Sequence, residues 1–294
     1  MTAMDTYNYN RKTGQTEKEI VLGDGMLRLA YSNAVGRVLF WPMFHTALFS
    51  RLMGCYANSG LSKGRISKTI ESLGIDMDDF VVPEKGFTCF NDFFTRKVKE
   101  GARPFAAEGL CSPADCRLTV YPKLAEGTCI PVKGRSFTAR ELLGEPGKEY
   151  ADCFNGGALA IFRLCPADYH RYHFPDSGRL LAHWRMRGAY HSVNPLALLR
   201  QIRVFTHNVR EISILELEHY GISAFIEVGA FGVATIRQTF QGNSFQRGDE
   251  KGYFAFGGST IIMLFQQGKV IFDEDLTKNL PLESLVRAGE HIAS

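Results

Sequence analysis

Residues 253–265 read YFAFGGSTIIMLF: two runs of β-branched and aromatic residues flank Gly257, Gly258, Ser259 and Thr260. Paired glycines accept positive φ without strain, so the local pattern is that of a β-hairpin. The same texture recurs upstream in RLTVYPKL (117–124), GTCIPVKG (127–134), GALAIFRL (157–164) and GRLLAHWRMRGAY (178–190). It continues through QIRVFTHNVREISILEL (201–217) and ISAFIEVGAFGVATIRQTF (222–240). Short apolar runs punctuated by turn residues predict a sandwich- or barrel-like β core. Ahead of it, MLRLAYSNAVGRVLF (26–40) spaces its apolar residues at helical intervals. The expected class is α+β: a helical region over 1–85, opened by a loose polar lead through residue 25, and a mainly β domain over 86–294. Pro83 is expected to separate two short helices, with Ser72 and Asp76 as caps.

With 45% hydrophobic and 22% charged residues, the 294-residue chain can bury a real core. Seven scattered cysteines are an odd number in a chain too long to need stapling, which favours free thiols in a reducing compartment. No Cys-x-x-Cys pair is present, and a zinc site is not expected. The net charge of +3 gives no pointer to nucleic acid, but its distribution is uneven. Between Gly25 and Ile70 there is no Asp or Glu, against Arg28, Arg37, Arg51, Lys63, Arg65 and Lys68. Within that interval VLFWPMFHTALFS (38–50) is aromatic, lacks formal charge and contains Pro42. It is shorter than the roughly 20 residues that span a bilayer. Two readings fit it: a buried helical pair broken at Pro42, or a surface segment pressed into an anionic bilayer interface.

Three short motifs carry potential chemistry. His170 and His173, three apart in ADYHRYHFPDSG, are bracketed by Pro166, Pro175 and Gly178, which argues for a strand or loop. Without a third ligand in view, proton transfer fits them better than metal binding. Asp115, in the turn-like CSPADCRL, caps its own backbone or orients a histidine. No Gly-x-Ser-x-Gly elbow is present, so a nucleophilic serine has to come from elsewhere. Ser259 is a candidate. Its hydroxyl can fold back on the Gly258 carbonyl, unobstructed by a β-carbon, once a base takes its proton. The resulting ester can eliminate, cutting the chain and leaving a residue that becomes a pyruvoyl group.

Taken together these segments resemble the phosphatidylserine decarboxylase family. Phe93-Phe94-Thr95-Arg96 with Arg103-Pro104 is similar to its "FF-x-R … RP" segment, and Ser112-Pro113-Ala114-Asp115 to its "SP-x-DG" turn. Tyr169-His170-Arg171-Tyr172-His173 with Pro175 resembles "YHR-x-H-x-P", and Gly257-Gly258-Ser259-Thr260 its processing motif. Val193-Asn194-Pro195, Glu227-Val228-Gly229-Ala230 and Lys251-Gly252-Tyr253-Phe254 fall between them in the expected order. The resemblance implies self-cleavage between Gly258 and Ser259, giving a β chain (1–258) and an α chain (259–294). Asp115 would orient, His173 act as base and Ser259 attack. A pyruvoyl cofactor made from Ser259 would then form a Schiff base with phosphatidylserine, and His170 would deliver a proton as phosphatidylethanolamine is made. No metal is implied. The family also implies a peripheral protein on an anionic surface, at the cytoplasmic face of the cell membrane, with a homodimer as the oligomer it suggests. One departure is Cys116 where the family has glycine. The alternatives are a related pyruvoyl-dependent decarboxylase of a free amino acid such as tryptophan, an uncleaved lipid-binding relative, and a metal-dependent hydrolase using the two histidines.

Overall fold

The structure is a computed structural model that describes residues 7–19, 47–124, 137–191, 204–229, 236–255 and 259–294. Among the described residues fifteen strands follow in chain order: β1 (Tyr7–Asn10), β2 (Gln15–Lys18), β3 (Leu110–Cys111), β4 (Cys116–Tyr121), β5 (Ala158–Leu164), β6 (Arg171–His173) and β7 (Gly178–Met186). Then come β8 (Arg210–Leu217), β9 (Gly221–Gly229), β10 (Ile236–Gln238), β11 (Ser244–Phe245), β12 (Glu250–Phe254), β13 (Ser259–Phe265), β14 (Glu283–Val286) and β15 (His291–Ala293). Ten of them form one sheet in the order β11-β7-β8-β9-β13-β5-β4-β14-β1-β2, and β10-β12-β6 form a second. The α+β class with a mainly β core is what the glycine-punctuated runs predict.

Strand β13 is the spine of the large sheet. It pairs antiparallel with β5, Ser259 opposite Leu164 through Phe265 opposite Ala158, and with β9, Ser259 opposite Gly229 through Phe265 opposite Ser223. Both neighbours are apolar, so β13 reads as the continuous hydrophobic run of a strand buried on two faces. Ile261, Met263 and Phe265 join a core with Phe162, Phe225 and the small sheet's Tyr172, Phe254 and Ile236. Ile262 and Leu264 face a second core, closed by Leu142, Leu143, Phe154, Val204 and Phe205. Residues 204–207 are helical, where the sequence pattern suggested strand.

The helical region is partly described. Helix α1 (Ala47–Ala57) leads through a short turn into α2 (Arg65–Leu73), and α3 (Phe90–Phe94) follows a long irregular link. Ile66 of α2 packs with Phe87, Phe90, Phe93 and Phe94. Helix α2 ends because Gly74 adopts the left-handed conformation, φ 61°, which glycine takes at no steric cost. Ser72 lies inside that helix with its hydroxyl on Thr69 O, and Asp76 accepts from Asp78 N in a turn, so neither is a cap. The proposed membrane-facing run 38–50 lies mostly outside the described residues, as does 127–134.

The amino-terminal lead is not loose where it is described. Strands β1 and β2 make an antiparallel hairpin, and β1 pairs parallel with β14. Two ion-pair anchors hold it. Arg11 bonds Asp275 and Asp273 at 2.6 and 2.8 Å, and Glu19 takes both terminal nitrogens of Arg163 at 2.9 Å.

Candidate active site

The register brings the candidate residues to one end of the large sheet. The first residue of β13, the last of β5, the first of β4 and the last of β9 all lie there, and the loop after β5 carries Asp168, Tyr169 and His170. Ser259 is fully buried on the strand end, and its hydroxyl has no hydrogen-bond partner among the described residues. Gly258 lies outside the described residues. A buried hydroxyl without a partner is costly, and such a group is worth an explanation.

His170 sits where β12 of the small sheet ends, with its carbonyl accepting from Phe254 N at 2.9 Å. Its ring is fully buried, 3.9 Å from the centroid of Phe94. Nδ1 lies 2.9 Å from the Asp168 carbonyl. A carbonyl only accepts, so Nδ1 carries the proton and the lone pair is at Nε2, which has no partner among the described residues. Burial, with the nearby Arg96 charge, pushes the His170 pKa down to about 3, so the ring is neutral at pH 7. The sequence reading makes it a protonated donor; in this pocket it has first to take up a proton at Nε2.

His173 lies three residues on, where β6 meets Glu250 of β12. Its Nδ1 donates to the Gly248 carbonyl at 2.9 Å and its Nε2 is 3.2 Å from the Tyr169 hydroxyl. Gly248 has φ 86°, a conformation that a side chain would strain. Burial lowers the His173 pKa, opposed by that carbonyl and by the charges of Glu250 and Asp115. Asp115 does not hydrogen-bond either histidine. Its carboxylate accepts from Arg103 Nε at 2.9 and 3.1 Å, Arg103 Nη2 at 2.8 Å and the Ala288 amide at 2.9 Å. It thus ties the Arg103-Pro104 segment to the carboxy-terminal strands and acts on His173 through charge.

Sequence reasoning placed Arg96 and Arg103 in motifs without giving them work. Buried Arg96 donates to the Ala167 and Asp168 carbonyls at 2.9 and 3.2 Å, fixing the loop that presents His170. No carboxylate among the described residues bonds it, and burial lowers its pKa to about 10. Arg103 also reaches Asp79 at 2.8 Å. Asp168 is paired with Arg117 and accepts from Cys165 N at 2.6 Å. The motif neighbourhood marks these residues; their partners, far away in sequence, do not show. Cys116 is the first residue of β4, in extended backbone that any residue adopts, so the glycine departure brings no positive-φ strain. A cavity of about 400 Å³ opens beside this corner, lined among others by Asp115, Cys116, Arg117, Asp168, Arg103 and Phe80.

The corner holds a buried serine at a strand head and two histidines whose Nδ1 atoms are held by backbone carbonyls, and comparison with known proteins gives its class. The phosphatidylserine decarboxylase family model matches residues 90–294, and the chain belongs to that family. It is 40% identical over 289 residues to the phosphatidylserine decarboxylase proenzyme of Clostridium kluyveri, covering 97% of each chain. To the protein of that name from Chlamydia trachomatis it is 37% identical over 297 residues, covering 99% of this chain and 98% of the other.

Proposed function

We propose that the protein converts phosphatidylserine to phosphatidylethanolamine and carbon dioxide, using a pyruvoyl group formed from its own Ser259. The observation that carries this is the fully buried Ser259 hydroxyl, without a partner among the described residues, at the head of a central strand and directly after a glycine in sequence. His173 takes the Oγ proton, and Oγ bonds to the Gly258 carbonyl carbon. The C–N bond to Ser259 then breaks, the proton passes to the freed nitrogen, and an ester is left. Loss of the α-proton and of the Gly258 carboxylate cuts the chain. Addition of water and departure of ammonia complete the group. Asp115 favours the charged form of His173 from a distance, held still by Arg103 and the Ala288 amide.

Once present, the pyruvoyl group supplies an electron sink for the pair left when carbon dioxide departs. His170, with Nδ1 committed to a carbonyl and a lone pair at Nε2 that has no partner among the described residues, would take a proton and return it to the substrate α-carbon. Burial of the strand end keeps water from the reacting bond.

The lipid substrate fits the exposed face of the helical region. Leu61 is 85% and Leu52 60% exposed, and Arg51, Lys63, Arg65 and Lys68 around them are exposed too. Apolar tips ringed by cations suit an anionic leaflet, and no helix among the described residues is long and apolar enough to cross a membrane. Peripheral docking at the cytoplasmic face, and assembly as a homodimer, complete the reading.

The test is the intact mass of the protein under denaturing conditions beside Ser259→Ala. Two chains split after Gly258, the smaller blocked at its amino terminus, are expected for the parent and one full-length chain for the variant. A parent chain that stays whole and inactive after incubation with phosphatidylserine vesicles overturns the reading.

A further inference from the structure

Glu227 and Lys251 stand in two of the motif segments, have no part in the chemistry above, and meet in the core between the two sheets. Lys251 Nζ of β12 donates to Glu227 Oε1 of β9 at 2.5 Å and to Gln238 Oε1 at 2.9 Å. Gln238 Nε2 donates to the same Glu227 oxygen at 3.1 Å. Glu227 is fully buried, and its other oxygen, Oε2, has no partner among the described residues. The Tyr172 hydroxyl, its pKa raised by burial and by the nearby Glu227 and Glu211 charges, stands beside it without the geometry of a hydrogen bond. Glycine at 252 makes room for that hydroxyl, since a β-carbon there would come within 2.6 Å of it. A buried charged oxygen left without a donor is costly, and the small sheet has already spent its inward donors on Oε1.

The register puts this carboxylate on the face of the large sheet that carries Ser259. Phe225, Ile261 and Met263 enter the core shared with the small sheet, whereas Ile226, Val228 and Ile262 enter the other. By alternation Glu227 and Ser259 point with the first set. Ser259 lies opposite Gly229 and Ile261 opposite Glu227, so Glu227 is one diagonal step from residue 259, a separation that long side chains cross. Gly229 places no side chain on that face between them. Lys251 Nζ is 5.0 Å from the centroid of Phe225, the next β9 residue on this face away from residue 259. Glu211, directly opposite Glu227 on β8, adds a second buried carboxylate, whose ionic partners His183 and Arg185 are 36% and 51% exposed. Two buried carboxylates thus share this space with the buried cation Lys251.

We propose that Glu227 Oε2, together with the Tyr172 hydroxyl, receives the ammonium group of the phosphatidylserine head and sets its nitrogen against residue 259. This deepens, and rests on, the reading of Ser259 as the source of the reactive carbonyl. An ammonium supplies only donors, and both atoms can accept. The bond to Oε2 is charge-assisted, and so roughly twice as strong as one between neutral groups. A water bound at the same two atoms would satisfy them equally well, but it would give no preference for a charged amine.

The experiment captures the carbonyl of cut protein with two nucleophiles and reads the mass of the small chain. Phosphatidylserine in mixed micelles with cyanoborohydride brings a charged amine; hydroxylamine brings a neutral one that needs no counter-charge. Glu227→Gln should be captured by phosphatidylserine about ten- to hundredfold more slowly than the parent, with hydroxylamine capture unchanged. Equal loss with both probes, the mark of a role in joining the sheets alone, overturns the proposal, and so does no loss with either. Glu227→Gln leaves Lys251 as a buried cation without its charge partner, which is strongly destabilising. If that variant does not fold, Glu227→Gln/Lys251→Met takes its place with the same expectations. If neither variant is cut while the parent is, Glu227 serves the fold and the assignment is overturned. A parent chain that is never cut removes instead the reading of Ser259 beneath it.

Discussion

Glu19 offers the sharpest test of whether the amino-terminal hairpin belongs to the catalytic sheet. Its carboxylate is buried at the end of β2 and takes two hydrogen bonds from Arg163, a β5 residue opposite Thr260. Burial alone would raise its pKa, but Arg163, Cys165 and Arg117 outweigh that and lower it from the ordinary 4.5 to about 2. At 1.36 kcal/mol per pH unit, that gap is worth about 3 kcal/mol of folding stability. A depressed carboxylate pKa contributes fully above its unfolded value and is lost as pH falls through the folded one. The contribution is therefore complete above about pH 4.5 and gone near pH 2. Glu19→Gln removes the charge and leaves Arg163 with Glu283 as its remaining carboxylate partner. Because Arg163 is still neutralised, the loss should sit at the low end of the roughly 3–5 kcal/mol for breaking a buried pair. The assay is urea unfolding at pH 7 and at pH 3 in the Ser259→Ala background, where the chain stays in one piece. Glu19→Gln should cost about 3 kcal/mol at pH 7, and its penalty should shrink at pH 3. A loss under about 1 kcal/mol at both pH values, on the scale of a surface pair, would refute the reasoning and return the hairpin to a loose lead.

Three further outcomes follow from the site. His170→Ala should still yield two chains on a denaturing gel yet lose decarboxylation; if it blocks cutting while His173→Ala cuts normally, the two histidine roles are exchanged. Cys116→Gly should gain no cleavage rate and should lose about 1 kcal/mol or more of stability, since a strand residue on the core face gives up side-chain burial and backbone restriction; faster cutting by the glycine variant would mean that the turn is strained after all. The cut protein should elute from gel filtration as one particle until denaturant is added, because residues 259–265 stay paired on both sides; separation in plain buffer would contradict that pairing.

The sequence was most informative where a strand is buried on both faces. The apolar runs around Ile161, Tyr253 and Ile262 appear as strands at the expected places, but β12 and β13 belong to different sheets and do not pair, so the expected hairpin is not made. Strands β1 and β2 are not legible in the sequence, since YNYN and QTEK are short and largely polar, the first partly and the second fully exposed. Their evidence is non-local: β1 pairs with a strand more than 270 residues away, and Glu19 meets an arginine 144 positions on. Val204–His207 was misread because four residues of helix are too few to show a period beside a true strand. At the site, spacing and motif order singled out Asp115, His170, His173 and Ser259, and the fold gathers their elements at one sheet end. What spacing could not supply was the partner of each polar atom. Nothing local says that Asp115 meets Arg103 and Ala288, or that the ring nitrogens of His173 meet Gly248 and Tyr169.

On the proposed cleavage, the place of Ser259 at the head of β13 would tie the timing of the chemistry to the completion of the sheet. In a chain where β13 has not found both β5 and β9, Ser259 is hydrated, its hydroxyl is satisfied by water, and no wall holds the neighbouring histidines. A cut at that point would thus act as an inspection stamp: the prosthetic group is issued only to copies whose central strand is already seated. The proposed new chain end would then be locked between two partners with seven facing residues on either side, and a misassembled copy would remain an inert precursor, with no reactive carbonyl exposed to the cell.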